Sequence, residues 1–393
     1  MTAKSRPRPT VMAVYCPLWH SYDHMDAWKG IGWNEWQLVK NAKPRFKGHY
    51  QPIRPSWGYF DESDPKWAAR EIDLAADHGI DVFLIDWYWY GGVKIMEEAL
   101  ERAFLRAPNR RRIKFALMWA NHDWSDYFPA PHTTNDRWNQ WLPCRHSVPD
   151  LHRMIDHCAD LYFAQPNYWR MDDGSLFFSI FDTASFVAGL GGPARTRREL
   201  ARIERRLRAR GLPPIHWNGM TYAMDQITGS RHDGFRDAGF HSATSYNINS
   251  TGTNREQDHG IQPYTGLMKA HRDNWQALAR TGIDHFPVVT LGWDATPRCL
   301  PDVPFPFSPG EYPYWHVVTG NTPRRFGQLC RDAQQHVAET PSAMPIVMIN
   351  AWNEWTEGCY LLPEKRYGHG YLRALRDTFG LAPRQRAKSP SSK

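Results

Sequence analysis

Glu354 and Glu357 stand three residues apart at the mouth of an apolar run, Ile346-Val347-Met348-Ile349-Asn350-Ala351-Trp352-Asn353-Glu354-Trp355-Thr356-Glu357-Gly358. Glycoside hydrolysis needs a proton donor, a base or nucleophile, and a flat apolar surface for a sugar ring. Two carboxylates at the end of a buried strand, set among indoles, supply those parts. A Glu-x-x-Glu pair in a loop is more often two solvated charges capping the next helix, so the reading depends on its surroundings. The chain carries 19 tryptophans and 17 tyrosines, more than packing alone requires. Sugar stacking accounts for part of that excess and a tryptophan-rich core for the rest.

Apolar runs of strand type alternate with segments of helical spacing or composition. The strands are expected at 11–19, 80–89, 114–124, 176–183, 215–222, 240–247, 285–294 and 345–355. The helices are expected at 65–78, 94–106, 148–164, 195–210, 224–237, 264–281, 323–339 and 367–379. By periodicity the second and fourth helices are the clearest and the fifth the weakest. Strict alternation without an internal repeat points to an α/β fold, a (β/α)8 TIM barrel. One domain is expected over 11–380, between disordered basic tails at 1–10 and 381–393. Links from helix to strand are short, whereas those from strand to helix are long at 20–64, 125–147, 248–263 and 295–322. Barrels carry their chemistry on that second face.

The strand ends then supply the candidate substrate-binding residues: Trp19 and His20; Asp86, Trp87 and Tyr88; Trp119, Asn121, His122 and Asp123; Tyr246; Trp293 and Asp294; Trp352 and Asn353. Trp87, Trp119, Trp293 and Trp352 are expected to wall a cleft. Glu35, in the long first loop, reads equally as a substrate-binding carboxylate or as half of a salt bridge within that loop. His20, Asp86, His122, Asp123 and Asp294 are potential metal ligands, but no H-x-H, H-E-x-x-H or three-histidine spacing accompanies them, so no metal is expected. No G-x-S-x-G surrounds a serine and no glycine-rich phosphate cradle follows the first strand, so no cofactor is expected.

The formal charge of +7 sits in the two tails, which hold Lys4, Arg6, Arg8, Arg384, Arg386, Lys388 and Lys393 and no acid. The body between them is neutral, which argues against a nucleic-acid partner. Cys16, Cys144, Cys158, Cys299, Cys330 and Cys359 form no C-x-x-C pair and are expected as free thiols, with Cys359 a packing residue. No run approaches the length of a membrane span and no leader is visible, so a cytoplasmic protein acting on a polysaccharide or oligosaccharide is expected, with export left open.

These residues also resemble the glycoside hydrolase family 99-like proteins, in particular their WbsX-like branch found with polysaccharide gene clusters. The resemblance rests on Trp33-Asn34-Glu35-Trp36, Phe46-Lys47-Gly48-His49-Tyr50-Gln51-Pro52, Gly79-Ile80-Asp81, Trp119-Ala120-Asn121, Gly292-Trp293-Asp294-Ala295-Thr296-Pro297-Arg298 and the run from Ile349 to Gly358. It implies a (β/α)8 barrel that attacks an α-linked polysaccharide internally. It also implies that Glu354 draws the proton from the sugar's 2-hydroxyl to form a 1,2-anhydro sugar, while Glu357 is the acid. Glu357 is accordingly expected to have the higher pKa. Thr356 stands where the endo-α-1,2-mannosidases have histidine, so mannose is not carried over. The alternatives are a glycosyltransferase, though no Asp-x-Asp is present, and a non-catalytic carbohydrate-binding barrel, which would be expected to lose a glutamate.

Overall fold

The computed structural model describes residues 8–132, 139–221, 233–251, 260–308 and 312–381. The two basic tails therefore lie mostly outside the described residues, as do most of the helix expected at 224–237 and the centre of the loop at 248–263. Arg8 departs from the expected tail. Its guanidinium pairs with Asp81 at 2.6 Å, and Asp81 also accepts the backbone N–H of Val11 at 2.8 Å, which fastens the chain's entry to the second strand.

The principal sheet is built from β1 (Thr10–Tyr15), β2 (Val82–Tyr90), β3 (Lys114–Trp119), β4 (Leu176–Ile180), β5 (Ile215–Thr221), β6 (Ser242–Ser245), β7 (Asp284–His285), β8 (Val288–Thr290) and β9 (Ile346–Asn350). All pair in parallel, in the order β7-β6-β5-β4-β3-β2-β1-β9-β8. Every residue of β2 and β9 is buried, as expected of parallel strands covered on both faces. Helices enclose this curled sheet. Their starts are set by sequence: Asp64, Ser147 and Thr322 each accept a backbone N–H of the first turn, and a proline follows within that turn.

The expected closed eight-stranded barrel is not formed. The strand expected at 285–294 is split: β7 pairs with β6, β8 pairs with β9, and no ladder joins them. Phe286-Pro287 separates the two pieces, and Pro287 has no N–H to give to a ladder. The result is a distorted (β/α)8-like barrel with its seam at that proline. The helix expected at 94–106 is also corrected. Gly91 and Gly92, both at positive φ, turn the chain so that Val93–Ile95 pairs antiparallel with the end of β2. Only a π turn at Ala99–Ala103 and a 3-10 turn at Phe104–Arg106 follow.

Candidate active site

Beyond β9 the chain is clamped to β1. Asn353 accepts the N–H of Cys16 at 2.7 Å and donates to its carbonyl at 2.9 Å. Asn353–Glu354 then pairs antiparallel with Cys359–Tyr360 across a 3-10 turn. Gly358 closes that turn at φ +69°, with Asp294 so near that an added Cβ would meet its Cβ at 3.0 Å and its backbone nitrogen at 3.1 Å. Only glycine meets both demands. The tight turn brings Glu354 and Glu357 to the same cavity.

One guanidinium joins the two carboxylates. Arg298, buried, donates from Nη1 to Glu357 Oε1 at 2.9 Å and from Nη2 to Glu354 Oε1 at 3.0 Å. Its Nη2 also reaches Glu35 at 2.9 Å, while Thr356 donates its hydroxyl to the same Glu35 oxygen at 2.6 Å. Glu35 therefore forms a salt bridge, but to Arg298 of a distant loop. It anchors Arg298 and does not line the cavity.

Three carboxylates face one cation in a buried space, so full ionisation is opposed and a proton is retained. Burial and the negative charge of Glu357 push Glu354 up to about 8, against the pull of Arg298. Burial also raises Glu357, but Arg298 and the Tyr312 hydroxyl, 2.8 Å from Oε1, support its anion. The proton of the pair is therefore held preferentially by Glu354, the reverse of the expectation that Glu357 has the higher pKa.

The cavity measures about 500 Å³. Of the expected residues, Asp86, Tyr88, His122, Asp123, Tyr246 and Trp293 line it together with Glu354 and Glu357. The others do not. Trp87 donates to Tyr162 and stacks on Trp89 at 5.8 Å, Trp119 donates to the Trp89 carbonyl, and Trp352 donates to Glu71 at 3.1 Å beside Phe83. These three are core residues. Side chains alternate along a strand, so Asp86 and Tyr88 face inward while Trp87 and Trp89 face the helices.

The remaining departures are polar clamps or packing. Trp19 packs on Trp36 at 4.3 Å. His20 sits between Glu62 and Glu98; burial disfavours its cation, but those two acceptors outweigh burial and lift it to about 9. Asn121 exchanges hydrogen bonds with the backbone of Asp182. Asp294 accepts from His49 at 2.8 Å, from Gln51 at 2.6 Å and from Thr296.

Residues absent from the expectation include Arg298 itself, Tyr312, Trp124, Tyr127, Phe128, Phe181 and Trp315, all on the cavity wall. Asp86 lies deepest in chemical interest. Burial pushes its carboxyl up to about 8 although Tyr246 and Cys16 hydrogen-bond it. Cys16, Asp86 and Glu354 are the one group of potential metal ligands among the described residues.

A family model described as Glycosyltransferase WbsX matches residues 11–375. The chain belongs to the WbsX family. Among curated proteins this WbsX member is similar to uncharacterized protein WxcX of Xanthomonas campestris pv. campestris strain ATCC 33913, 29% identical over 391 residues. The match takes in 95% of this chain and 50% of WxcX, so the chain spans about half the length of that relative. The WxcX protein of strain B100 matches to the same extent.

Among solved structures it resembles the GH99 endo-alpha-mannosidase from Bacteroides thetaiotaomicron in complex with bis-tris-propane, at TM-score 0.60 and 14% identity over 93% of this chain and 94% of that one. A glycoside hydrolase-like protein matches at TM-score 0.61 and 14% identity over 97% and 96% of the two chains. At such identities the likeness concerns the fold.

Proposed function

We propose that this chain is a glycoside hydrolase that cuts an α-linked polysaccharide internally, with Glu354 and Glu357 as its catalytic pair. Family and fold support the coarser class, a carbohydrate-active enzyme. The observation that carries the finer reading is the bridging of both glutamates by Arg298 at 3.0 and 2.9 Å in an aromatic-walled cavity. The pair keeps one proton, the number that acid–base cleavage needs.

In the proposed route a substrate places its 2-hydroxyl on Glu354 and its leaving oxygen on Glu357, which draws the proton to Glu357. Glu354 takes the hydroxyl proton, O2 bonds to the anomeric carbon, and the glycosidic bond breaks as Glu357 protonates the departing oxygen. Water then gives a proton to Glu357 and its oxygen to the anomeric carbon. The C1–O2 bond opens, and O2 recovers its proton from Glu354. Two displacements retain configuration.

The test is a substrate lacking the reacting sugar's 2-hydroxyl, measured with the stereochemistry of the first-formed product. Retention without turnover of the 2-deoxy analogue supports the route. Inversion, or normal cleavage of that analogue, removes it in favour of a direct two-carboxylate scheme. The family's description supports a second reading, in which an acceptor sugar hydroxyl takes the place of water and the same pair performs transfer.

A further inference from the structure

Cys16, Asp86 and Glu354 reach one point from three parts of the chain: the residue after β1, the inward face of β2, and the turn after β9. Cys16 Sγ and one carboxylate oxygen from each acid all lie within 4.8 Å of one another. The Cys16 thiol is 3.6 Å from Asp86 Oδ2 and also hydrogen-bonds Glu354. Ligand atoms at about 2.0–2.3 Å from a tetrahedral zinc-like ion stand about 3.3–3.8 Å apart. Small side-chain rotations therefore bring the three atoms into one coordination sphere.

Two further observations point to a ligand. All three residues are more than nine-tenths buried, yet Asp86 Oδ1 has no hydrogen-bond partner among the described residues. A buried carboxylate oxygen left without a partner is costly unless something meets it. In addition, Asp86 and Glu354 both line the main cavity, which gives an ion a path inward and room for water as a fourth ligand.

We propose that Cys16, Asp86 and Glu354 form a binding site for a thiophilic divalent cation of the zinc and cadmium class, and that an ion bound there stops turnover by holding Glu354. A thiolate among the ligands selects against magnesium and calcium, which take oxygen ligands. Binding displaces to solvent the thiol proton of Cys16 and any proton held by the two carboxyls, and the ligands enter as thiolate and carboxylates. Without the ion, those protons hold the three groups together through the hydrogen bonds above. The block on turnover rests on the proposed catalytic role of Glu354, whereas binding does not.

The test uses Co²⁺ as a spectroscopic probe of the full-length protein. One equivalent should give a near-ultraviolet thiolate-to-cobalt charge-transfer band, and Zn²⁺ should displace it. Cys16→Ser should abolish the band, and Asp86→Asn should weaken Co²⁺ binding at least tenfold. Cys144→Ser should retain the band, although Cys144 Sγ lies 3.8 Å from His146 Nε2 and is the obvious competing thiol. Absence of a band from the folded wild type overturns the site, as does a band that survives Cys16→Ser. If Cys16→Ser does not fold, undiminished Co²⁺ binding in Asp86→Asn overturns it instead. Because the band is read without substrate, its absence is distinguishable from a failure of the hydrolase reading.

Discussion

Replacing Arg298 by methionine keeps much of the side chain's bulk and removes the cation that Glu35, Glu354 and Glu357 share. Arg298 is 8% exposed, so solvent cannot take its place. Removing one partner of a buried ion pair costs about 3–5 kcal/mol, because the other charge is left uncompensated. Here the stranded carboxylates can relieve that cost by binding protons, which makes the loss depend on pH.

The sign follows from linkage. The Glu354 carboxyl already stands at about 8 in the folded protein, above the roughly 4.3 of an unfolded chain. The folded state therefore binds more protons between those values, and its stability falls as pH rises through that window. Without Arg298, which pulls both down, the folded carboxyls of Glu354 and Glu357 move further up, so the fall is steeper. Arg298→Met should lose about 3–5 kcal/mol at pH 8 and clearly less at pH 5. Denaturant melts followed by tryptophan fluorescence at both pH values read this directly. Equal losses at the two pH values, or none at pH 8, would refute the claim that Arg298 neutralises the cluster.

Other consequences can be checked alongside. The pH profile of kcat/KM should decline above about pH 8, as Glu354 gives up the proton of the pair; a profile flat through pH 9 would contradict the protonation reading. Trp352→Ala should cost about 3–5 kcal/mol in a denaturant melt, since that indole is core and its loss leaves Oε1 of buried Glu71 without its donor, the Tyr15 hydroxyl remaining on Oε2. Trp315→Ala, on the half-buried cavity wall, should cost less stability and weaken oligosaccharide binding; the opposite ranking would return Trp352 to the cleft.

The alternation of strands and helices was legible because apolar runs with short returns and long outward loops repeat along the chain. Their clustering of chemistry at one rim was legible for Glu354, Glu357, Asp86, Tyr88, His122, Asp123, Tyr246 and Trp293. Trp87 and Trp119 fall in the core because period-two alternation along β2 and β3 sends them to the helices, and Trp352, two residues past the end of β9, is drawn there by Glu71 and Phe83. Asp86 with Tyr88, spaced by two, carried the signal that separates the faces.

The break at Pro287 was also available, since a proline inside a strand of a central sheet argues against continuity. Arg298 and Tyr312 left no comparable trace. Their roles arise from contacts across 59 and 45 residues to Glu357, and no local spacing encodes those. The one hint was an arginine in a quoted motif, Thr296-Pro297-Arg298, beside an excess of rim carboxylates.

The most direct test of the central claim is the appearance of new reducing ends when purified protein meets a panel of α-linked polysaccharides. Wild type and Glu357→Gln should be compared side by side, with sugar-nucleotide donors and acceptor glycans in parallel. The account predicts oligosaccharide products from wild type, at a rate lowered at least hundredfold in the variant, and no requirement for a nucleotide donor. Glycan extension from a sugar nucleotide with no reducing ends released from any polysaccharide would contradict it.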